Sequence, residues 1–280
     1  MRNVFITGCG FLGEAAAFLF LEAGWKVTGI CASEESSAHF ANSGLDVRAA
    51  DLCDVSALRN IQSTVEKFDL VMHCASSRGG GEEAYRKVYQ KGMEAIASAF
   101  PSTKLLFTSS TSVYAQTDGS VVEETSIADP QRATGRILLD AEKICLDAGG
   151  SVTRLAGLYD ATRWVLLKKF LAGEAIIDRG PERWINHIHR KDAARAALHL
   201  AQSEAPAGIY NVCDDTPVTQ RQVYDVFAAR FSRPLPPEGE PDLQRRRGWT
   251  SKRISNAKLK ATGWSPHFAS FRDTLTEIPG

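Results

Sequence analysis

The fold is decided by the stretch "NVFITGCGFLGEAAAFLFLEAG", residues 3–24 of the chain. Its first six residues, "NVFITG", are mostly β-branched or aromatic and end in glycine, which predicts a short buried strand. Residues 14–24, "EAAAFLFLEAG", are rich in alanine and leucine and reach a glycine at Gly24, which predicts a helix that ends there. The stretch therefore predicts a strand, a glycine loop and a helix in direct succession.

The loop between this strand and this helix carries three glycines in G-x-G-x-x-G spacing. The first glycine permits a tight turn, the second lets the backbone approach a pyrophosphate, and the third lets helix and strand pack closely. Free amides at the start of the helix then face the phosphate charge. We predict a dinucleotide site formed here by Gly8, Gly10, Phe11, Leu12 and Gly13. The alternative is a structural turn that binds no nucleotide.

The same alternation of strand and helix continues along the first half of the chain. Further strands are predicted at residues 25–31, 45–51, 69–75, 104–110 and 151–159. Helices are predicted between them at residues 33–44, 55–68, 83–100 and 134–149. The strands are apolar almost throughout, which is typical of a parallel sheet covered by helices on both faces. We therefore predict an α/β fold with a Rossmann-type doubly wound parallel sheet.

The alternation breaks after Tyr159, where the pattern predicts a smaller C-terminal substrate lobe. We assign residues 1–158 to a dinucleotide-binding Rossmann domain and residues 159–280 mainly to the lobe, with residues 192–213 returning to the Rossmann core. Ligands of open parallel sheets bind at the carboxyl ends of the strands, so the lobe is expected to form the other wall of the cleft.

Composition excludes several classes of function. Lysine and arginine together number 33, as do aspartate and glutamate, so the formal net charge is zero and no nucleic-acid partner is expected. No apolar stretch is long enough to span a membrane. The six cysteines form no C-x-x-C pair, which favours reduced thiols in a cytoplasmic protein without a metal site. The one basic run, residues 245–247, is either a solvated turn or a clamp for an anionic substrate.

The end of the predicted second strand does not decide between NAD and NADP. An acidic residue at this place would hold the ribose 2′-hydroxyl of NAD, and an arginine would accommodate the 2′-phosphate of NADP. Here the strand ends in Cys31, Ala32 and Ser33, and Glu34 follows on the loop without an arginine nearby. Ser33 could donate to either cofactor, so both remain candidates.

Later segments complete a recognisable order of motifs. They are "AADLCD" at residues 49–54, "DLVMHCAS" at 69–76, "FTSSTSVYA" at 107–115, "WINHIHRKDAARA" at 184–196, "GIYNVCDD" at 208–215 and "LKATGWSP" at 259–266. Together with the glycine loop, this order resembles the extended short-chain dehydrogenase/reductases, also called the NAD-dependent epimerase/dehydratase family, over nearly the whole chain.

The resemblance assigns roles to residues at the strand ends. It implies adenine contacts from Asp51 and Leu52 and a catalytic serine at Ser110, four residues before Tyr114. It further implies that the cofactor is lined by two groups of three residues, Cys74, Ala75 and Ser76, and Ala156, Gly157 and Leu158.

The chain departs from the family where the catalytic tyrosine and lysine are expected. Its segment "TGRILLDAE" matches the family's glycine, leucine, alanine and glutamate, but has Thr134 for the tyrosine and Leu138 for the lysine. The family's relay asparagine corresponds to Tyr89, and the asparagine after the sixth strand corresponds to Gly157. The chain is therefore identified as an atypical member that lacks the Y-x-x-x-K pair.

This departure bears directly on catalysis, because a positioned acid/base contributes about 10²–10⁴-fold to rate. A threonine hydroxyl has a far higher pKa than a phenol, and leucine supplies neither charge nor donor. Ser110 and Tyr114 are the weak candidates for replacement catalytic groups. As substrate-contacting residues we predict Tyr159, Arg163, Arg183 and His187.

Two functions follow from these patterns. The first is an NAD(P)-dependent oxidoreductase or epimerase that acts on a sugar nucleotide or a similar hydroxylated small molecule, with non-standard acid/base residues. The second is a non-catalytic NAD(P)-binding sensor or regulatory protein. The resemblance also allows a homodimer, by analogy alone.

Overall fold

The computed structural model describes residues 1–244 and 248–278. In chain order the strands are β1 Asn3–Thr7, β2 Lys26–Cys31, β3 Asp46–Ala49, β4 Leu70–His73, β5 Lys104–Ser110, β6 Val121–Val122, β7 Ser151–Leu155, β8 Gly157–Tyr159, β9 Ile177–Asp178, β10 Trp184–Ile185, β11 His187–His189, β12 Ile209–Val212, β13 Val218–Thr219, β14 Glu238–Gly239 and β15 Arg253–Ile254.

The helices alternate with the strands of the first half and then become more scattered. They are α1 Phe11–Glu22, α2 Glu34–Ala38, α3 Val55–Gln62, α4 Glu82–Tyr85, α5 Gly92–Ala99, α6 Ala133–Asp147, α7 Val165–Leu171, α8 Arg190–Gln202, α9 Gln220–Phe231, α10 Ala257–Lys260 and α11 Phe271–Thr274. A π-helical segment, Arg86–Lys91, joins α4 to α5.

The central sheet has seven strands in the order β12-β7-β5-β4-β1-β2-β3. The pairings β2–β3, β1–β2, β1–β4 and β4–β5 are parallel, and helices flank the sheet. After β3 the chain returns to the other side of β1, so the strand order reverses between β1 and β4. The predicted Rossmann-type doubly wound sheet is confirmed, and its ligand site is expected at this reversal point.

The sheet forms because its strands are apolar on both faces. Every residue of β4 and of β7 is buried, and only Asn3 of β1 is partly exposed. Under the sheet the rings of Phe5, Phe68 and Phe100 pack with centroids 5.4–6.0 Å apart. Two-sided burial of this kind is what a parallel sheet between helices requires.

Helix ends follow local capping chemistry. The helix α1 is followed by Gly24, which has a φ of +81° and turns the chain into β2. The side chain of Ser33 caps α2, and the carboxylate of Asp54 caps α3 by accepting from two backbone N–H groups. No helix among the described residues combines the length and apolar character needed to cross a membrane.

The chain divides into two compact units. The first unit comprises residues 1–110, 133–154 and 194–210, and the second comprises 111–132, 155–193 and the described part of 211–280. This grouping places 111–132 with the second unit, whereas the predicted boundary at residue 158 assigned it to the Rossmann domain; that boundary remains a prediction. The second unit has an aromatic core that includes Tyr159, Trp164, Phe227 and Phe271.

The predicted strand at residues 151–159 is two strands in the structure. Ala156 separates β7, which belongs to the central sheet, from β8, which pairs with β11. The extended segment at residues 184–189 is likewise divided, because β10 pairs with β13 and β11 pairs with β8. In each case one extended segment contributes strands to two different sheets.

Candidate functional site

The glycine loop is built so that two of its glycines cannot be replaced without a clash. Gly8 has a φ of +91°, and a Cβ there would stand 2.3 Å from the Cα of Ala75. A Cβ on Gly13 would stand 2.2 Å from the backbone oxygen of Gly8. A Cβ on Gly10, by contrast, would meet nothing within 4 Å. The loop is therefore tightly packed at Gly8 and Gly13 and open at Gly10. A ligand can approach the backbone there, at the start of α1.

The end of β4 lies directly against this loop. The thiol of Cys74 donates to the backbone oxygens of Thr7 and Gly8, at 3.5 Å each. Burial raises the pKa of the Cys74 thiol to about 12, so it stays protonated and acts as a donor. Ser76 follows and accepts a hydrogen bond from the backbone N–H of Arg78 at 3.3 Å. The structure thus brings the predicted cofactor residues of β1 and β4 together.

The end of β2 forms the next part of the site. The last residue of the strand is Cys31, whose thiol donates to the backbone oxygen of Cys9 at 3.7 Å. The hydroxyl of Ser33 accepts from the backbone N–H of Ser36 at 3.3 Å and donates to its hydroxyl at 3.0 Å. Ser33 is exposed and keeps an oxygen that can bond a ribose or a phosphate.

The end of β3 places Asp51 and Leu52 beside the segment Arg86–Lys91. Asp51 pairs with Lys87 at 3.0 Å and accepts the backbone N–H of Cys53 at 3.0 Å. These two contacts, the backbone bond first, hold the pKa of Asp51 below its usual range. Leu52 packs over Gly92, where a Cβ would stand 2.7 Å from the leucine side chain. The carboxylate is therefore fixed, and the leucine offers an apolar surface.

The helix α6 carries the positions where the family's catalytic pair is expected. Leu138 is only 4% exposed, and Thr134 is half-buried. One turn further along, Glu142 forms a buried ion pair with Arg154 at 2.6 Å and accepts the Ser109 hydroxyl at 2.5 Å. Ser110, the next residue and the last of β5, is half-buried. At the two positions where the sequence predicts the replaced catalytic pair, α6 carries an alcohol, Thr134, and an apolar side chain, Leu138.

Three of the predicted site residues lie in the interior of the second unit. Tyr114 is fully buried and donates its hydroxyl to Asn211 at 2.9 Å. Tyr159 is 2% exposed and shares a hydrogen bond with Thr274, and burial raises its pKa. His187 is 2% exposed, and burial lowers its pKa to about 4. All three side chains are buried in this unit, and their roles in catalysis and substrate binding remain predictions.

The predicted substrate arginines lie near the surface of the second unit. Arg163 is exposed. Arg183 donates to the backbone oxygen of Thr250 at 3.3 Å and lies 3.5 Å from Asp178. It lines a small cavity of about 80 Å³. The basic run at 245–247 falls outside the described residues.

The segment between β7 and β11 belongs to the second unit as well. Ala156 donates its backbone N–H to Val212, and Gly157 donates to Asn186, both at 3.0 Å. A Cβ on Gly157 would stand 3.0 Å from the same Asn186 oxygen. Leu158 is half-buried. The predicted cofactor residues thus divide into a compact group in the first unit and these three in the second.

Two residues near these groups have no signal in the sequence that marks them as functional. Arg78 projects from the loop after β4 and reaches Ser36, 42 positions away. Lys252 is 4% exposed, donates to the backbone oxygen of Tyr114 at 2.7 Å, and has a pKa lowered to about 7, chiefly by burial and in smaller part by the charge of Arg183. Both occur in ordinary polar stretches, and only the fold brings them to their partners.

Comparison with known proteins agrees with this architecture. Residues 4–149 match the model of the NAD dependent epimerase/dehydratase family. Protein YeeZ of Escherichia coli strain K12 is 30% identical over 223 residues, which cover 76% of this chain and 78% of that protein. The fold is shared with a UDP-glucose 4-epimerase from Thermotoga maritima, solved with UDP-glucose (TM-score 0.82, 19% identity, 98% and 96% of the two chains covered). It is also shared with a dTDP-glucose 4,6-dehydratase from Bacillus anthracis in complex with NAD (TM-score 0.82, 16% identity, 99% and 95% covered).

The family match includes the glycine loop, the ends of β1 to β5 and the helix α6, with Thr134 and Leu138. The relationship therefore rests on the same segments from which the sequence motifs were identified. The chain belongs to the NAD-dependent epimerase/dehydratase family.

Proposed function

We propose that the chain is an NAD(P)-dependent oxidoreductase or epimerase that acts on a sugar nucleotide or a similar hydroxylated small molecule, with acid/base groups other than the usual tyrosine and lysine. The observation that carries this proposal is the opening at Gly10, where an added Cβ would meet nothing within 4 Å. At Gly8 and Gly13, by contrast, an added Cβ would clash with backbone atoms. This bare backbone at the start of α1 leaves room for a phosphate group to approach the loop.

The residues at the strand ends fit a nicotinamide dinucleotide. The amides at the start of α1 can donate to a pyrophosphate, and the hydroxyl of Ser33 can bond a ribose. The Asp51 carboxylate can accept from the edge of an adenine, and Leu52 can pack on its face. The nicotinamide ring, when bound, accepts or returns a hydride. The chain's own contribution is to hold and orient that ring and to supply the group that moves the proton.

The group that moves the proton is not the one used by most of the family. Ser110 is our candidate among the predicted catalytic residues, because it ends β5 and is half-buried rather than enclosed. Tyr114 is left out, because its hydroxyl is buried and donated to Asn211. A site without a positioned phenol is expected to be slower by about 10²–10⁴-fold, or to rely on the substrate's own groups.

The substrate class is inferred from the two structural relatives that act on nucleotide sugars and from the arginines of the second unit. Arg163 and Arg183 are the proposed anchors for a phosphate or carboxylate, since a guanidinium forms paired hydrogen bonds with such groups. Pairing into a homodimer and a cytoplasmic location remain predictions from sequence.

A second function is favoured by one specific observation. Leu138 is buried at the position of the family's lysine and offers no donor to a cofactor ribose. A chain that keeps the cradle but replaces this lysine could bind NAD(P) and report its redox state without turnover. This sensor role is the alternative to catalysis.

The experiment that separates the two is a turnover screen on the purified chain. NAD⁺, NADP⁺ and their reduced forms are incubated with a panel of nucleotide sugars, and absorbance at the nicotinamide band, product masses and the chromatographic separation of epimeric sugars are followed. The enzyme proposal predicts turnover that falls about 10-fold or more in Ser110→Ala. Ser102→Ala, in an exposed turn of the same unit, is the control and should keep full activity. Tight cofactor binding without turnover across the panel would favour the sensor.

A further inference from the structure

The end of β2 is where a dinucleotide fold tells NAD from NADP. A carboxylate at this place bonds the adenosine ribose 2′-hydroxyl, and a nearby arginine accommodates a 2′-phosphate. In this chain the strand ends at Cys31, and the next two residues are Ala32 and Ser33. The position at which NAD-specific folds carry their acid therefore holds a thiol and two small side chains.

A positively charged side chain from the loop after β4 lies near the end of β2. Arg78 lies on the loop after β4, and its guanidinium Nη2 donates to the hydroxyl of Ser36 at 3.4 Å. Its backbone is held by a hydrogen bond from its N–H to Ser76 and has a φ of +48°, a conformation rare outside glycine. Three glycines, residues 79–81, follow directly. The loop therefore turns sharply and directs the arginine across the ends of β1 and β2.

The charge of Arg78 is felt by the end of β2. The pKa of Cys31 is lowered to about 7, mainly by the hydrogen bond with the Cys9 thiol and in smaller part by the positive charge of Arg78. The guanidinium thus stands close enough to stabilise an anion beside the last residue of the strand.

We propose that Arg78, together with the hydroxyls of Ser33 and Ser36, forms a subsite for the 2′-phosphate of NADP(H), and that this subsite makes the chain prefer NADP(H) over NAD(H). The inference rests on the proposed binding of a nicotinamide dinucleotide and adds which of the two it is. A guanidinium with five donors matches the oxygens of a phosphate, and the two hydroxyls add donors. The partners already touch: Ser33 bonds to Ser36, and Ser36 accepts from Arg78.

Three carboxylates lie near this subsite and bear on phosphate binding. Glu34 opposes an added phosphate by its charge; the Ser37 hydroxyl, one turn along α2, lies 3.5 Å from this carboxylate and donates to the Glu34 backbone oxygen at 3.0 Å. Glu14 is paired with His39 at 3.0 Å. Glu35 is exposed in the first turn of α2. None of the three occupies the last position of β2. A carboxylate at the end of this strand would therefore have to be introduced by mutation.

The test is a comparison of NADPH and NADH affinities by fluorescence titration of the full chain. The wild type is expected to bind NADPH at least about 10-fold more tightly than NADH. Arg78→Ala should lower the affinity for NADPH by about 10- to 100-fold, because a charge-assisted hydrogen bond to the 2′-phosphate is lost. The affinity for NADH should change by less than about 3-fold. Arg78→Lys should recover part of the loss, because a point charge remains without the planar fork.

Controls make the outcome specific. Arg59→Ala removes an exposed arginine from α3 and should change neither affinity. Adenosine 2′-monophosphate should compete with NADPH in the wild type and not in Arg78→Ala. Ala32→Asp, an exposed position, adds the missing carboxylate and should shift preference toward NADH. Melting temperatures confirm that each variant is folded.

Two results would overturn the inference and are distinguishable from failure of the proposed function. If the wild type binds NADH as tightly as NADPH, or Arg78→Ala weakens both equally, the subsite assignment is wrong while the dinucleotide cradle stands. If the wild type binds neither coenzyme, the proposed function is wrong and the subsite with it.

Discussion

Gly8 and Ala75 lie so close that a Cβ on the glycine would stand 2.3 Å from the Cα of the alanine. This contact joins the ends of β1 and β4, the two strands between which the sheet order reverses. The crevice expected at such a reversal is therefore closed at its base by backbone packing. Only at Gly10 does the loop stay open.

The first prediction concerns the folding role of the loop. Gly13→Ala places a Cβ 2.2 Å from the Gly8 carbonyl oxygen, which belongs to backbone and cannot swing aside. We expect a loss of about 1–3 kcal/mol in the free energy of unfolding, measured by denaturant titration. Gly10→Ala, which meets nothing within 4 Å, is the matched control and should unfold as the wild type does. Equal stability of the two variants would contradict this packing.

This loop shows what could be predicted from sequence. Its glycine spacing specifies a local backbone path, so the strand, turn and helix at residues 3–24 follow from neighbours in the chain. The helix predicted at residues 134–149 corresponds to α6, Ala133–Asp147, because its periodicity is local too. The seven-stranded parallel sheet follows from the apolar strands that alternate with such helices.

Features that depend on tertiary packing could not be predicted in this way. The helix expected at 83–100 contains the π-helical segment Arg86–Lys91, and the close contact between Gly92 and Leu52 that follows it has no signature in local periodicity. The burial of Tyr114 and His187 depends on strand direction and on the aromatic core of the second unit. Arg78 reaches Ser36 across 42 positions, which no spacing rule anticipates.

A second prediction concerns the buried ion pair behind α6. The side chains of Glu142 and Arg154 are 2% and 4% exposed, and Glu142 Oε2 lies 2.6 Å from Arg154 Nη2. Arg154→Met leaves the carboxylate buried without its cation, and we expect a loss of about 3–5 kcal/mol in unfolding free energy. Lys143→Met removes the lysine of an exposed pair with Asp147 on the same helix and should cost less than about 1 kcal/mol. Similar losses in both variants, by thermal or chemical unfolding, would contradict the structural role of the buried pair.

A third prediction concerns acid stability. Neither ring nitrogen of His187 has a hydrogen-bond partner among the described residues, and burial lowers its pKa from 6.5 to about 4. The unfolded chain takes up a proton near pH 6.5 and the folded chain only near pH 4, so stability falls as pH drops through this window. Across this pH window the histidine lowers the free energy of unfolding by on the order of 3 kcal/mol.

The variant His187→Phe should remove that part of the acid sensitivity, because phenylalanine keeps the ring contacts with Trp164 and Phe271 and does not titrate. Unfolding curves at pH 7 and pH 4.5 measure the difference. His267→Gln, at an exposed position, should leave the acid sensitivity as in the wild type. An unchanged pH dependence in His187→Phe would show that this histidine does not cause it.

A fourth prediction has the opposite sign. Burial raises the pKa of Asp214 from 3.8 to about 8, and one of its carboxylate oxygens has no hydrogen-bond partner among the described residues. The folded chain therefore keeps a proton that the unfolded chain releases, and stability is lost as pH rises from about 4 to 8. Asp214→Asn should flatten this alkaline side of the stability profile. A profile that still falls as steeply between pH 5 and pH 8 would place the titrating group elsewhere.

Coenzyme titration of the wild type beside Gly10→Val measures whether the glycine loop binds the pyrophosphate of a nicotinamide dinucleotide. The valine side chain meets no protein atom at its Cβ, so the variant should fold with an unchanged melting temperature. We predict saturable binding of NADPH or NADH by the wild type and its loss by about 100-fold or more in Gly10→Val, since the side chain fills the space that the phosphates need. Binding of equal strength in both proteins, or no binding of either coenzyme by the wild type, would contradict the account.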